Sequence, residues 1–312
     1  MFPHTLPSTR AQAVQINKLA EEFSSAKIFL AIDVYMCYNG ITGDKICPNT
    51  TEEYHMELWT KEHFWQLIPT EIVMIIIAII LNKLIGKKSL KIRMIPFQIL
   101  AVLLFLSEIG KQYFSIQRGY DLYHIPLHVC SLFIPLLPLM AFYNGKHKDV
   151  VKTIACALTT SMVMFMVVYP NLIYGSWNIK NFFNDYFDFH TVFFHNVVIF
   201  EFILIIALRL HHIEHSKKNI KALIFFGAGF SAAAGIMSQV LKTNFAKFYY
   251  CDVAGIGGIV DQIKGVIGDF AGQTLYVVVL GILHILFFIG CYHLYRAIDK
   301  LNIKLRGRAN NE

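Results

Sequence analysis

The chain has 312 residues, of which 55% are hydrophobic and only 16% charged, and its mean hydropathy is +0.50. Soluble globular domains carry roughly 25% charged residues, so the composition excludes that class and leaves a polytopic α-helical membrane protein. The formal charge of +7 does not point to nucleic acid, because the lysines and arginines collect in short loops between apolar runs, as cytoplasmic loops do.

Residues 1 to 27 are polar and mixed in charge, with no apolar core of the signal-peptide kind. The run Ile28–Cys37 is too short to span and is interrupted by Asp33, so it reads as an interfacial helix. Seven apolar segments follow: Phe64–Ile85, Met94–Phe114, Leu122–Tyr143, Val150–Tyr174, His190–Leu210, Ile220–Leu241 and Ala271–Ala297. Every second loop is basic: Lys87, Lys88, Lys91 and Arg93; then Lys146, Lys148 and Lys152; then Arg209, Lys217, Lys218 and Lys221; then the tail from Arg296 to Arg308. This alternation predicts seven transmembrane helices with the N-terminus outside and the C-terminus inside, in the cell membrane. Residues 1–63 then form an extracytoplasmic segment, 64–298 the seven-helix domain and 299–312 a basic cytoplasmic tail. On the outside, Cys37 and Cys47 are compatible with a disulfide and equally with two free thiols. Asn49-Thr50-Thr51 is a glycosylation acceptor only in a eukaryotic secretory pathway.

Titratable groups inside spans are costly and default to functional candidates. On the predicted orientation, Glu71, Glu108, His128, Cys130 and His195 fall in the outer half, Gln239 and Asn244 mark the outer end of the sixth span, and His284 lies deeper. Helix-gluing polar contacts account for any one of them, but not for the shared leaflet; an outward-opening polar cavity does. Spacing limits the pairings. His128 and Cys130, two apart, point to different sides of a regular helix, unless Pro126 makes the start of the span irregular. Asp188 and His195, seven apart, align, so Asp188 or a deeper carboxylate is expected to orient the His195 imidazole. Cys130 with His195 is the arrangement for acyl transfer through a thioester; His128 with His195 suits acid–base work or a metal. Cys156 and Cys291 read as packing thiols, the Met162, Met164, Met166 run as apolar filling, and His211, His212 and His215 as solvated.

The same residues resemble the YwaF family of bacterial integral membrane proteins. The likeness rests on Glu62-His63-Phe64 ahead of the first span, the string Pro126-Leu127-His128-Val129-Cys130, His195, Thr243-Asn244-Phe245, and the opening Gly272 to Tyr276 of the last span. It covers His63 to Tyr295. More distantly, this family is similar to eukaryotic transmembrane phospholipid acyltransferases, which carry a cysteine directly before the histidine of that string. Here that position is Leu127, and the thiol follows two residues after His128.

The resulting expectation is an outer-leaflet site handling lipid acyl groups by transfer or hydrolysis. Its catalytic candidates are His195, Cys130 and His128, and its substrate-binding candidates are Glu108, Asn244 and His284. Membrane lipids are the expected partners, with a phospholipid or acyl chain as substrate and no nucleic acid, bound metal or cofactor. Two alternatives stand beside it. One is a metal-dependent hydrolase using His128, His195 and His284 with a carboxylate, although no HExxH pair is present. The other is a transporter or receptor-like binder with hinges at Gly227, Gly229 and Gly235.

Overall fold

The computed structural model describes residues 58–251 and 256–309. The interfacial run Ile28–Cys37, the Cys37–Cys47 pair and the Asn49 acceptor lie outside the described residues. Within them the protein is all-helical: α1 (Lys61–Ile85), α2 (Leu90–Gln117), α3 (Phe133–Phe142), α4 (Lys148–Val168), α5 (Ser176–Lys180), α6 (Tyr186–Ala207), α7 (Lys217–Leu241), α8 (Ile256–Ile267) and α9 (Asp269–Ala309). Six of these, α1, α2, α4, α6, α7 and α9, are long and apolar enough to cross a membrane. This is a multi-pass membrane protein.

The helix ends follow from local chemistry. Thr60 caps α1, and His63 closes the capping box from the third position by accepting the Thr60 N–H on Nδ1 (3.3 Å). The other imidazole nitrogen of His63 donates to the Tyr174 carbonyl at 2.7 Å, which fixes the start of α1 against the chain leading into α5. At the end of α2, Gly119 adopts φ +92° and the Tyr120 N–H reaches back to the Ser115 carbonyl at 2.8 Å. That is a Schellman closure, and a left-handed residue is what it requires. α6 ends the same way with a non-glycine in the left-handed position: Arg209 has φ 51°, and Leu210 N–H bonds Ile205 O at 3.1 Å.

α4 and α6 form the centre of the bundle. Their apolar stretches are 61% and 67% buried, against 11% for α1, which lies at the rim against α6 and α5. α2 crosses α6 closely at Gly110, where the Tyr186 hydroxyl passes over the glycine to donate to Ser107 O at 2.9 Å. Gly227 and Gly235 of α7 face Ile285 and Val277 of α9, and a Cβ at either glycine would approach those side chains to 2.9 and 2.8 Å. These are close helix contacts rather than hinges, whereas Gly229 faces open space. A Gly227→Ala, Gly235→Ala double variant is expected to lose about 1–3 kcal/mol from overpacking, and Gly229→Ala to lose nothing; thermal unfolding in detergent measures both.

The third expected span does not form one helix. Leu122–His124 and Cys130–Leu132 are single 3-10 turns separated by extended chain at Ile125, and regular helix begins only at Phe133. Ile125 precedes Pro126, which disfavours helical backbone there. The ten-residue α3 is about 15 Å long, half of the ~30 Å hydrocarbon thickness. The chain nevertheless runs along α2: Gln112 donates to His124 O (2.8 Å) near one end and Gln98 to Ala141 O (3.0 Å) near the other. From Gln98 to Gln112 α2 rises ~21 Å, and the segment His124–Ala141 covers that height. The last helix runs on without a break past Ala297, where its apolar stretch was expected to close, to Ala309.

Of the histidines after α6, His212 and His215 are exposed, as expected, and His211 is half-buried. His211 packs against Thr153 Oγ1 (3.3 Å), and His212 pairs with Asp299 at 2.5 Å. Their backbone is tied to α9 by the Tyr295 hydroxyl, which donates to His211 O at 2.9 Å.

Candidate functional site

One stripe of α2 organises the polar groups. Glu108, Lys111, Gln112 and Ser115 follow the three- and four-residue spacing of a single helix face. The Glu108 carboxylate is 6% exposed. Its Oε1 accepts from Lys111 Nζ (2.8 Å) and Gln112 Nε2 (2.7 Å), and its Oε2 lies 3.2 Å from His190 Nε2 of α6. Gln112 uses its second amide hydrogen on His124 O and accepts the Tyr120 hydroxyl on Oε1 at 2.9 Å. His124 is bonded to the Ser115 hydroxyl at 2.6 Å and stacks on Phe187, with ring centroids 4.7 Å apart. α2, the 3-10 turn after it and α6 are thereby joined around one buried carboxylate.

At the rim, Arg118 pairs with Asp185, the N-cap of α6, at 2.8 Å and lies 4.8 Å over the Phe187 ring. Burial opposes ionisation of Asp185, but Arg118 and the Phe187 and Asp188 backbone amides outweigh it and hold the carboxyl below its ordinary range.

His195 lies one and a half turns further along α6 than His190. Its Nδ1 is 2.6 Å from Thr191 O; a carbonyl only accepts, so Nδ1 carries the hydrogen and Nε2 the lone pair. Asp188 does not orient this ring. It accepts from Asn178 of α5 at 2.5 Å, and the backbone carbonyl does the orienting instead.

His128 has both nitrogens engaged: Nε2 donates to Tyr123 O (3.2 Å), and Nδ1 is 3.5 Å from the Ala246 N–H. It joins the Pro126–Cys130 string to the turn after α7. Cys130, half-buried with a free thiol, opens the 3-10 turn before α3. The start of this segment is thus irregular, the condition under which the helical separation of His128 and Cys130 lapses.

Lys111 connects these groups. Its ammonium pairs with Glu108, which meets His190 on α6, and Gln112 ties the same face of α2 to the segment that carries His128 and Cys130. Asn244 and His284 stand further off, on either side of the turn after α7. Asn244 Oδ1 accepts the Tyr249 and Tyr250 N–H groups (3.1 and 3.3 Å), while Phe245 and Ala246 beside it touch His128. His284 donates to Leu280 O at 3.0 Å and packs among Phe230, Phe248 and Phe288.

A model of the TMEM164 family matches residues 58–295. The chain belongs to the TMEM164 family. No curated protein and no solved structure matches it. The family match covers the same stretch as the YwaF resemblance, and it takes in every residue of the cluster around Lys111, whereas the tail after Tyr295 lies beyond it.

Sequence reasoning missed Lys111, Gln112 and the contact of His190 with Glu108. The signal was present, since positions three and four after Glu108 share its face. It also missed Glu201 of α6, which is fully buried with neither carboxyl oxygen hydrogen-bonded among the described residues. Glu201 falls eleven residues after His190, on the same face of the helix. Among the described residues no three of His, Cys, Asp and Glu lie so as to hold a metal ion, so the metal-dependent alternative finds no donor set there.

Proposed function

We propose that this TMEM164-family protein is a membrane-embedded acyltransferase or lipid hydrolase in which Cys130 is the nucleophile and His195 the base. The observation that carries the reading is that the irregular segment bearing Cys130 is bonded to α2 beside Glu108, whose carboxylate meets His190 on the helix that carries His195. His195 Nε2, the nitrogen with the lone pair, takes the Cys130 proton. The thiolate attacks the carbonyl carbon of a lipid ester, the ester C–O bond breaks, and the departing alkoxide takes the proton from the imidazolium. A second alcohol, or water, then gives its proton to His195 and attacks the thioester, releasing the acyl product and restoring the thiol. Lys111 is suited to oppose the negative charge that builds on the carbonyl oxygen, and Glu108 and Gln112 keep its ammonium in place.

The topology proposed with it has seven crossings, the segment Leu122–Tyr143 supplying the third, with the N-terminus outside and the basic loops inside. The bonds from Gln98 and Gln112 to the two ends of that segment support this count. So does loop charge, because without the third crossing Lys146, Lys148 and Lys152 would face away from Lys87 and Lys88. A phospholipid or other acyl lipid of the cell membrane is the proposed substrate.

An activity-based thiol probe tests the pair. Cys130 is expected to label in the wild-type protein and to lose labelling by about 100-fold in His195→Ala, in line with the factors general-base catalysis contributes. Lipid profiles of cells carrying Cys130→Ala, His195→Ala should lose one acyl-lipid class. Equal labelling in both proteins, or an unchanged lipid profile, would sink the proposal. The transporter reading keeps one observation in its favour, the unpartnered Glu201 within a span, and flux in reconstituted liposomes measures it.

A further inference from the structure

The end of the bundle opposite the Lys111 cluster holds a cavity of about 350 Å³ lined by Asn82, Lys83, Gly86, Lys87 and Arg209. Its volume is in the range of small-ligand sites. Lys83 comes from the last turn of α1, Lys87 from the α1–α2 turn, and Arg209 from the end of α6, more than a hundred residues away in sequence. Lys83, Lys87 and Arg209 have no carboxylate partner among the described residues.

The backbone that carries the third cation is fixed in place. Arg209 occupies the left-handed position of the α6 Schellman closure, a costly conformation for a side-chain-bearing residue. Arg93 locks that turn from α2, its guanidinium Nη1 donating to Leu208 O (2.6 Å) and Arg209 O (3.3 Å). Gly86 lets the chain turn tightly over Asn82, since a Cβ there would meet the Asn82 carbonyl at 2.3 Å. Bringing three like charges together is unfavourable unless an anion joins them.

The setting selects the kind of anion. Leu84, 67% exposed, and Ile80, 50% exposed, continue the lipid-facing surface of α1 up to Lys83 and Lys87. The cavity therefore opens where hydrocarbon gives way to headgroups, and a ligand in it would rest its apolar part on α1. We propose that Lys83, Lys87 and Arg209 bind the headgroup of a net-anionic phospholipid. This site is separate from the Cys130–His195 reading and does not depend on it. Basic pockets between membrane helices recognise such headgroups, with about 1 kcal/mol from each cation near the surface, a factor of about five in affinity apiece.

The test uses the purified full-length chain in neutral detergent, with dioctanoyl phosphatidylserine as probe, dioctanoyl phosphatidylcholine as zwitterionic control and inorganic phosphate as the soluble anion. Phosphatidylserine is expected to raise the unfolding temperature saturably, the other two additives to leave it unchanged, and Lys83→Gln, Lys87→Gln, Arg209→Gln to weaken apparent affinity on the order of 100-fold. If the triple variant does not fold, Lys87→Gln alone should weaken binding about five-fold and Lys87→Arg should retain it. An equal response to phosphatidylcholine, reproduction of the effect by inorganic phosphate, or undiminished binding by the folded glutamine variants overturns the proposal.

Discussion

Glu108→Ala is expected to destabilise the protein by about 3–5 kcal/mol, because it leaves the Lys111 ammonium buried without its counter-charge. It also removes the acceptor of the Gln112 amide and the carboxylate that lies 3.2 Å from His190. The double variant Glu108→Ala, Lys111→Met removes both charges and is expected to recover most of the loss, since no orphan ion remains. Chemical unfolding of the three proteins in detergent gives the coupling energy directly. A single-variant loss below about 1 kcal/mol would mean that the pair is solvated and that Lys111 is not the fixed centre described for it.

The second large effect is expected on acidification. His211 lies outside the spans, and burial, reinforced by the nearby charge of Lys152, pushes its imidazole down to about 4. In the unfolded chain an imidazole titrates near 6.5. The unfolded state therefore takes up the proton first as pH falls. The contribution of the neutral ring is complete above pH 6.5 and is lost progressively between 6.5 and 4. At 1.36 kcal/mol per unit, the loss is about 2–3 kcal/mol by pH 4. Unfolding measured across that window in wild type and in His211→Asn isolates the effect: the variant should lack this part of the slope, and parallel curves would refute it.

Six spans could be read from the sequence because each is a long apolar run, and run length is what a bilayer demands. The third run looked the same by that measure. Its composition is apolar from Ile125 onward, but the extended chain at Ile125, ahead of Pro126, delays the helix to Phe133, and hydropathy cannot register that delay. The candidate site was legible as a set of polar residues, less so as a set of contacts. Glu108, Cys130 and His195 were recognised one by one as polar groups in apolar surroundings. Lys111 follows Glu108 by three residues, which places the two on one helix face, but loop charge and span length carry no weight at such a position. The Asp188–His195 alignment was sound helical geometry, but Asn178, delivered by the short helix α5, occupies that carboxylate first. Only tertiary structure reveals such competition.

The 41 residues of α9 make a rod about 60 Å long, twice the thickness of the hydrocarbon layer. Near one end Gln273 grips Phe248 O and Tyr249 O, and Tyr276 grips Lys247 O, on the turn whose Ala246 meets His128. Near the other end Asp299 holds His212, and Asn302 donates to Ile206 O at the close of α6. The rod therefore ties the close of α6 at one of its ends to the loop that braces the Pro126–Cys130 string at the other.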